Sequence, residues 1–348
     1  MTQQPAQPPQ PTPPTQATQP TRPGPPAKPK RQVHAPGLPY HQALRTPGTQ
    51  WWRGALALLV FVVAGLIINT IFGVIAIAID VGTGRVPAEQ AGMVNTPVLL
   101  GLGSISLALL WPLAALVQWA FFGQRPRWIN SVEGKFRWGW FLRVNLVLIP
   151  VMIVYLVITS LPVLQDPQPG QDWLWFLLIG LLITPFQAAG EEYGFRGLIN
   201  RATATWSSNR WVAFAIGAVI SGVLFTIAHA ATDPWLNAYY FSFGAILCAV
   251  VWLTGGIEAA VAMHVVNNVV AIVLSSLTAD LGGMFDRSAG TGGPFMLIQI
   301  GVMAILGAVM VLWARRRKLQ ALTTDGPTPA APGQAQPTPV EGQAPNLR

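Results

Sequence analysis

Few side chains in this sequence can do chemistry in an apolar setting, and several of them share one stretch. From Ala188 to Gly197 the chain reads AAGEEYGFRG, two adjacent carboxylates and an arginine closing a long apolar run. An ionisable group inside a membrane helix is costly, so it marks function by default. On a helix Glu192 and Arg196 stand four residues apart with the acid first, the better order for an ion pair. Glu191 points about 100° away from that pair and has no local partner. The expectation is a structural pair, Glu192–Arg196, and a carboxylate at Glu191 that is free to work.

The chain has four histidines. His34 and His41 fall in a polar N-terminal stretch and read as parts of a linker. His229 and His264 fall in apolar runs. Phe225 with His229, and His264 with Asn268, are each four apart and share a helix face. A carboxylate and an imidazole about one water can serve as general base and then as proton donor to a leaving amine. A second imidazole and a carboxamide can donate hydrogen bonds to an oxyanion. Such a set is sufficient for peptide-bond hydrolysis without a covalent intermediate. No nucleophilic Ser or Cys motif, phosphate loop or HExxH sequence competes with it. Three N/O ligands and a water also make a catalytic zinc pattern, so Glu191, His229 and His264 are an alternative metal site. The preferred reading needs no cofactor: Asn268 gives His264 an oxyanion partner, whereas zinc would want carboxylate or carbonyl support behind each imidazole. The plainer roles go to the remaining polar groups. Asn267 reads as interhelical glue, Phe225 as supporting core, and Glu258 as an interfacial residue.

These residues must be positioned by membrane helices. Of 348 residues 52% are hydrophobic and 10% charged, and the apolar residues come in runs near the twenty that cross a bilayer. Backbone groups in lipid must be satisfied within the segment, so the expected fold class is all-α, a polytopic membrane protein of about eight transmembrane helices. The runs are 54–79, 97–122, 138–164, 173–189, 211–229, 236–253, 257–277 and 295–313, with Pro185 able to interrupt the fourth. Residues 1–50 and 320–348, rich in Pro, Gln and Thr, read as disordered tails. Residues 51–172 carry three N-terminal helices, and 173–319 the catalytic core with the last helix. Cys248 is the one cysteine and lies within a run, which excludes an internal disulfide and a cysteine metal cluster. The net charge of +8 sits in tails and loops, so nucleic acid is not a partner.

Charge also orients the chain. Arg53, Arg125, Arg127, Lys135, Arg137, Arg201, Arg210 and the run Arg315 to Lys318 alternate with loops carrying Asp166, Asp172, Asp233, Asp280 and Asp286. With an even number of spans this puts both termini in the cytoplasm, in a bacterial cell membrane. A turn at Ser207–Asn209 and another at Gly255-Gly256 then lie on that side. At about 1.5 Å per residue, Glu191 and His229 come within roughly one helical turn of the same depth, with His264 in the same half.

The residues that meet there resemble a known family. Glu191-Glu192 with Arg196, then Phe225 with His229, then His264 with Asn268 is the ordered motif set of the CPBP intramembrane peptidases. These include the type II CAAX prenyl endopeptidases and bacterial relatives linked to bacteriocin processing and immunity. The resemblance spans about Trp173 to Ser276 and includes the approach Leu253-Thr-Gly-Gly-Ile. It implies a membrane-embedded endopeptidase acting on a membrane-anchored protein or peptide, with the lipid bilayer as the other partner. It also implies that Glu191 and His229 activate water and that His264 and Asn268 hold the oxyanion. Members of the family have been described both as metalloproteases and as glutamate-type enzymes. Two readings from other classes compete, a non-catalytic scaffold or immunity protein of the same fold and a proton-coupled transporter. A scaffold has no need of all four site residues, and a carrier would show paired broken helices in two halves.

Overall fold

A computed structural model describes residues 35–46, 48–159, 161–277 and 286–324. His34 and Asp280, named above, lie outside them. Among the described residues the ordered elements are helices, and no strand longer than an isolated bridge is present. The first span is α1 (Trp51–Gly82). The second is a broken pair, α2 (Pro97–Ala108) and α3 (Leu110–Phe122). The third is α4 (Trp138–Thr159), followed by the short α5 (Leu161–Gln165). The fourth is α6 (Trp173–Leu182) and α7 (Thr184–Glu192), bent by 44° where Pro185 enters. From α7 the chain runs through a π-helical segment (Tyr193–Ile199) into α8 (Asn200–Ala204). The last four spans are α9 (Arg210–Ala228), α10 (Pro234–Thr254), α11 (Glu258–Ser276) and α12 (Met296–Arg316). Among the described residues seven helices are long and apolar enough to cross a bilayer, eight with the bent pair taken as one span. The chain is an integral membrane protein, as its apolar runs required.

The ends of these helices follow from local chemistry. Asn209 caps α9 by accepting from the backbone N–H groups of Trp211 and Val212, a preferred cap because its amide oxygen meets otherwise orphaned donors. Asp233 caps α10 in the same way through Trp235 and Leu236. Gly255 ends α10 at φ +73°, a left-handed position where a side chain would be strained. These are the two turns read from the sequence, one between α8 and α9, the other between α10 and α11.

At the centre stands α11, packed against α4, α6, α7 and α10. Its first seven residues, Glu258 to His264, are all buried. Glu258 is therefore not interfacial, and the reason is a partner that spacing does not reveal. Arg137 forks onto it, Nε to Oε1 at 2.8 Å and Nη2 to Oε2 at 2.7 Å, with the Arg137 backbone N–H on Oε1 at 2.9 Å. Arg201 is buried too, held by Gln118 at 2.5 Å and Gln124 at 2.9 Å beneath the ring of Tyr40. Neither arginine is the solvated loop charge that the orientation argument took it for. The exposed cations on that side are Arg125, Arg127, Lys135, Arg210 and Arg315 to Lys318.

The polar stretch before α1 is also more than a linker. Tyr40, His41, Gln42 and Leu44 are buried. Tyr40 donates to Ile129 O at 2.5 Å, and Gln42 to Ser207 O at 3.0 Å. His41 Nε2 bonds Arg210 O at 3.0 Å, with its ring edge-on to Trp252. Burial pushes the His41 imidazole down to about 4. Backbone bonds of Leu38 and Gly37 to Thr323 join this segment to the residues after α12.

Candidate active site

The site begins where α7 becomes the π-helical segment. Gly190 makes this approach possible, because a Cβ there would strike Leu107 O and the Ala108 backbone. The next two residues, Glu191 and Glu192, are thereby carried into the protein interior, and both are buried. π-Helical turns widen the backbone ladder and recur at functional sites.

Glu192 and Arg196 form the expected pair, Nη1 to Oε1 at 2.7 Å with both side chains fully buried. A third member was not foreseen: His264 Nδ1 meets the same oxygen at 2.7 Å. Glu192 therefore joins α7 to α11 and fixes the imidazole of His264. With Nδ1 turned to Glu192, Nε2 faces Glu191, 3.9 Å from Oε2. Glu191 is not without a local partner either, since Gln187 Nε2 donates to its Oε1. That contact has a sequence signal, a carboxamide four residues before the acid on one helix face.

His229 caps the end of α9. Its Nδ1 donates to Phe225 O at 2.7 Å, because a carbonyl can only accept. The ring lies between Phe225, at 4.5 Å, and Tyr240, stacked at 3.9 Å and 26°. Phe225 does more than fill space. Its ring lies 5.8 Å from that of His264 and carries the Arg196 guanidinium at 4.5 Å, within cation–π range. It therefore stands between the two imidazoles. Asn268 follows His264 by one helical turn, and its Oδ1 accepts from Asn267 at 3.1 Å. That bond sets the amide orientation and leaves the Asn268 NH2 to donate elsewhere. Asn267 in turn accepts from Tyr239 of α10 at 3.3 Å, the interhelical role expected of it.

The arrangement brings Glu191 and His264 Nε2 face to face, with His229 on the far side of the Phe225 ring and Asn268 one helical turn beyond His264. The argument against zinc from missing support does not hold, because His264 is backed by a carboxylate and His229 by a carbonyl. That is the backing metal-bound imidazoles have. Among the described residues, however, no three His, Cys, Asp or Glu side chains are grouped closely enough to hold a metal ion.

Comparison with known proteins follows the same residues. Residues 171–270 match the family described as Type II CAAX prenyl endopeptidase Rce1-like, the segment that holds all four site residues. That segment is Rce1-like in sequence, as its ordered motifs indicated. A curated relative is the "Uncharacterized protein YyaK" of Bacillus subtilis (strain 168), 26% identical over 211 residues, covering 57% of this chain and 69% of that protein. No solved structure matches the chain. The family supports a CAAX-type intramembrane protease embedded in the bilayer.

Proposed function

We propose that the protein is an intramembrane endopeptidase that cuts a membrane-anchored protein or peptide with water activated at Glu191. The observation that carries this reading is Glu191 Oε2 facing His264 Nε2 across 3.9 Å, with the far side of that imidazole anchored on Glu192. Glu191 takes a proton from the water, and the hydroxide adds to the substrate carbonyl. His229, held at Nδ1 by Phe225 O, offers Nε2 as acceptor to the same water. His264 as imidazolium and Asn268 through its NH2 donate to the oxyanion. The carbon–nitrogen bond breaks as the amine receives the proton that Glu191 holds. Gln187, Glu192, Arg196 and Phe225 position these groups without touching the reacting atoms.

A second reading draws on the backing of both imidazoles. A zinc ion held by Glu191, His229 and His264 would polarise the carbonyl and supply the activated water. It requires these side chains to close on one point, which they do not do in the arrangement described. The experiment is cleavage of a membrane-anchored peptide pool by purified protein, wild type and Glu191→Gln. Cleavage by the wild type, lost in Glu191→Gln at unchanged yield, is the expected result. Full activity of Glu191→Gln would remove the mechanism, and no cleavage by the wild type would leave a scaffold of the same fold. Activity lost to a chelator and restored by zinc would move the mechanism to the metal reading.

A further inference from the structure

Arg287 follows α11 in the chain and reaches the candidate site from outside its motifs. Its backbone is fixed: the Arg287 carbonyl accepts from the backbone N–H groups of Thr232 at 2.8 Å and Asp233 at 3.3 Å, and from the Thr232 hydroxyl at 3.3 Å. These bonds tie it to the turn just beyond His229. Its side chain donates Nε to the Tyr240 hydroxyl at 3.1 Å, and Tyr240 is the ring stacked on His229 at 3.9 Å. The guanidinium is thus one phenol ring away from a site imidazole.

Two acids are close by, Asp286 in sequence and Asp233 through its backbone bond to Arg287, and both are committed to other donors. Asp233 accepts from the backbone N–H groups of Leu236, Gly290 and Trp235, and Asp286 from that of Ser288. Backbone N–H groups, that of Leu236 foremost, hold the Asp233 carboxyl below its ordinary range, and the Ser288 side chain and then its backbone N–H do the same for Asp286. Among the described residues no carboxylate lies within ion-pair distance of Arg287, and its two Nη groups have no hydrogen-bond partner. The result is a half-buried planar fork of donors, oriented by Tyr240 and lacking the anion that such a fork matches.

We propose that Arg287 is a specificity-determining residue that binds a carboxylate of the substrate, a few residues from the bond cut at the Glu191 and His264 site. This rests on the peptidase reading and adds a substrate class to it. The carboxylate belongs either to an acidic side chain or to a free C-terminus, and both present the same pair of oxygens. Arg287 takes no part in the proton transfers, because Tyr240 separates it from His229.

The test uses the full chain in phosphatidylcholine nanodiscs and four dansyl-labelled apolar peptides of one sequence. The peptides end in a free acid or an amide, and carry Glu or Gln near that end. Binding is read by energy transfer from the protein's tryptophans. For the wild type, carboxylate-bearing peptides should bind about ten- to a hundred-fold tighter than the fully uncharged one, the range for hydrogen bonds to charged groups. The difference should vanish in Arg287→Gln and return in part in Arg287→Lys. A preference limited to the free acid assigns the carboxylate to the terminus, and one limited to Glu assigns it to a side chain. Equal binding of all four by the wild type, or a preference that survives Arg287→Gln, overturns the proposal. Cleavage is followed in the same samples. A carboxylate preference with no cleavage by the wild type counts against the peptidase reading and leaves Arg287 as a binding residue.

Discussion

Replacing Arg196 with methionine should lower unfolding free energy by about 3–5 kcal/mol, the usual cost of removing one partner from a buried ion pair. The geometry explains why the cost falls at this position. Glu192 is fully buried and among the described residues its Oε2 has no hydrogen-bond partner, so the donors that stabilise its charge converge on Oε1. Two donors sit there at 2.7 Å, Arg196 Nη1 and His264 Nδ1. Without Arg196 only His264 remains, and the guanidinium no longer covers the Phe225 ring at 4.5 Å. Glu192→Leu should cost a similar amount by leaving Arg196 as an unpaired cation. The double variant, Arg196→Met with Glu192→Leu, should recover most of the stability, since apolar residues of similar volume often replace a buried pair without loss. It should not recover activity, because nothing then holds His264 Nδ1. Unfolding in mixed micelles, followed by tryptophan fluorescence, gives the coupling energy through the double-mutant cycle. Peptide cleavage gives the second readout. Single variants within about 1 kcal/mol of the wild type would show that the pair is not structural. A double variant as active as the wild type would show that Glu192 does not position His264.

Two further outcomes follow from features outside the catalytic set. Burial lowers the His41 imidazole from its ordinary 6.5 to about 4, so the unfolded segment binds the proton more readily than the folded one. The stability this contributes is present above about 6.5 and is lost as pH falls towards 4, some 3 kcal/mol at about 1.4 per unit. Hydrogen-exchange protection factors of residues 37–44, taken relative to intrinsic rates at each pH, should therefore fall on acidification in the wild type and lose that dependence in His41→Phe; wild-type protection unchanged between pH 7 and 4 would refute it. By the positive-inside rule the exposed cations beside the Ser207–Asn209 turn predict a cytoplasmic position for that side. In a Cys248→Ala background, a membrane-impermeant thiol reagent on intact cells should label Ser288→Cys and spare Ser208→Cys, and the reverse would invert the orientation.

What could be read from the sequence divides along a physical line. Hydrocarbon makes every polar residue expensive, so a carboxylate, an imidazole or an amide inside an apolar run is informative by its presence. Glu191, His229, His264 and Asn268 stand out as candidates for that reason, and the helices themselves were legible from their apolar runs. Contacts along one helix were legible by spacing, as with Glu192 and Arg196, and Gln187 with Glu191 carried the same signal. Contacts between helices were not. Glu192 reaches His264 across 72 residues of chain, and Tyr240 reaches His229 from the opposite wall, with no periodicity to announce either. The error with Arg137, Arg201 and Glu258 has the same origin. At a helix end a charge in water and a charge in a buried fork have the same sequence signature, and only the partner distinguishes them. Arg137 and Glu258 found each other, whereas Arg201 is held by Gln118 and Gln124 beneath Tyr40. His41 was misread because a polar, proline-rich stretch has too little apolar area to imply a core of its own. It is buried by surface that α9 and α10 supply through Phe214 and Trp252. The lipid thus singles out the candidate residues, while their pairing is decided by tertiary packing. For that reason Glu192 departs furthest from its sequence expectation, being both one half of a salt bridge and the group that aims His264 at Glu191.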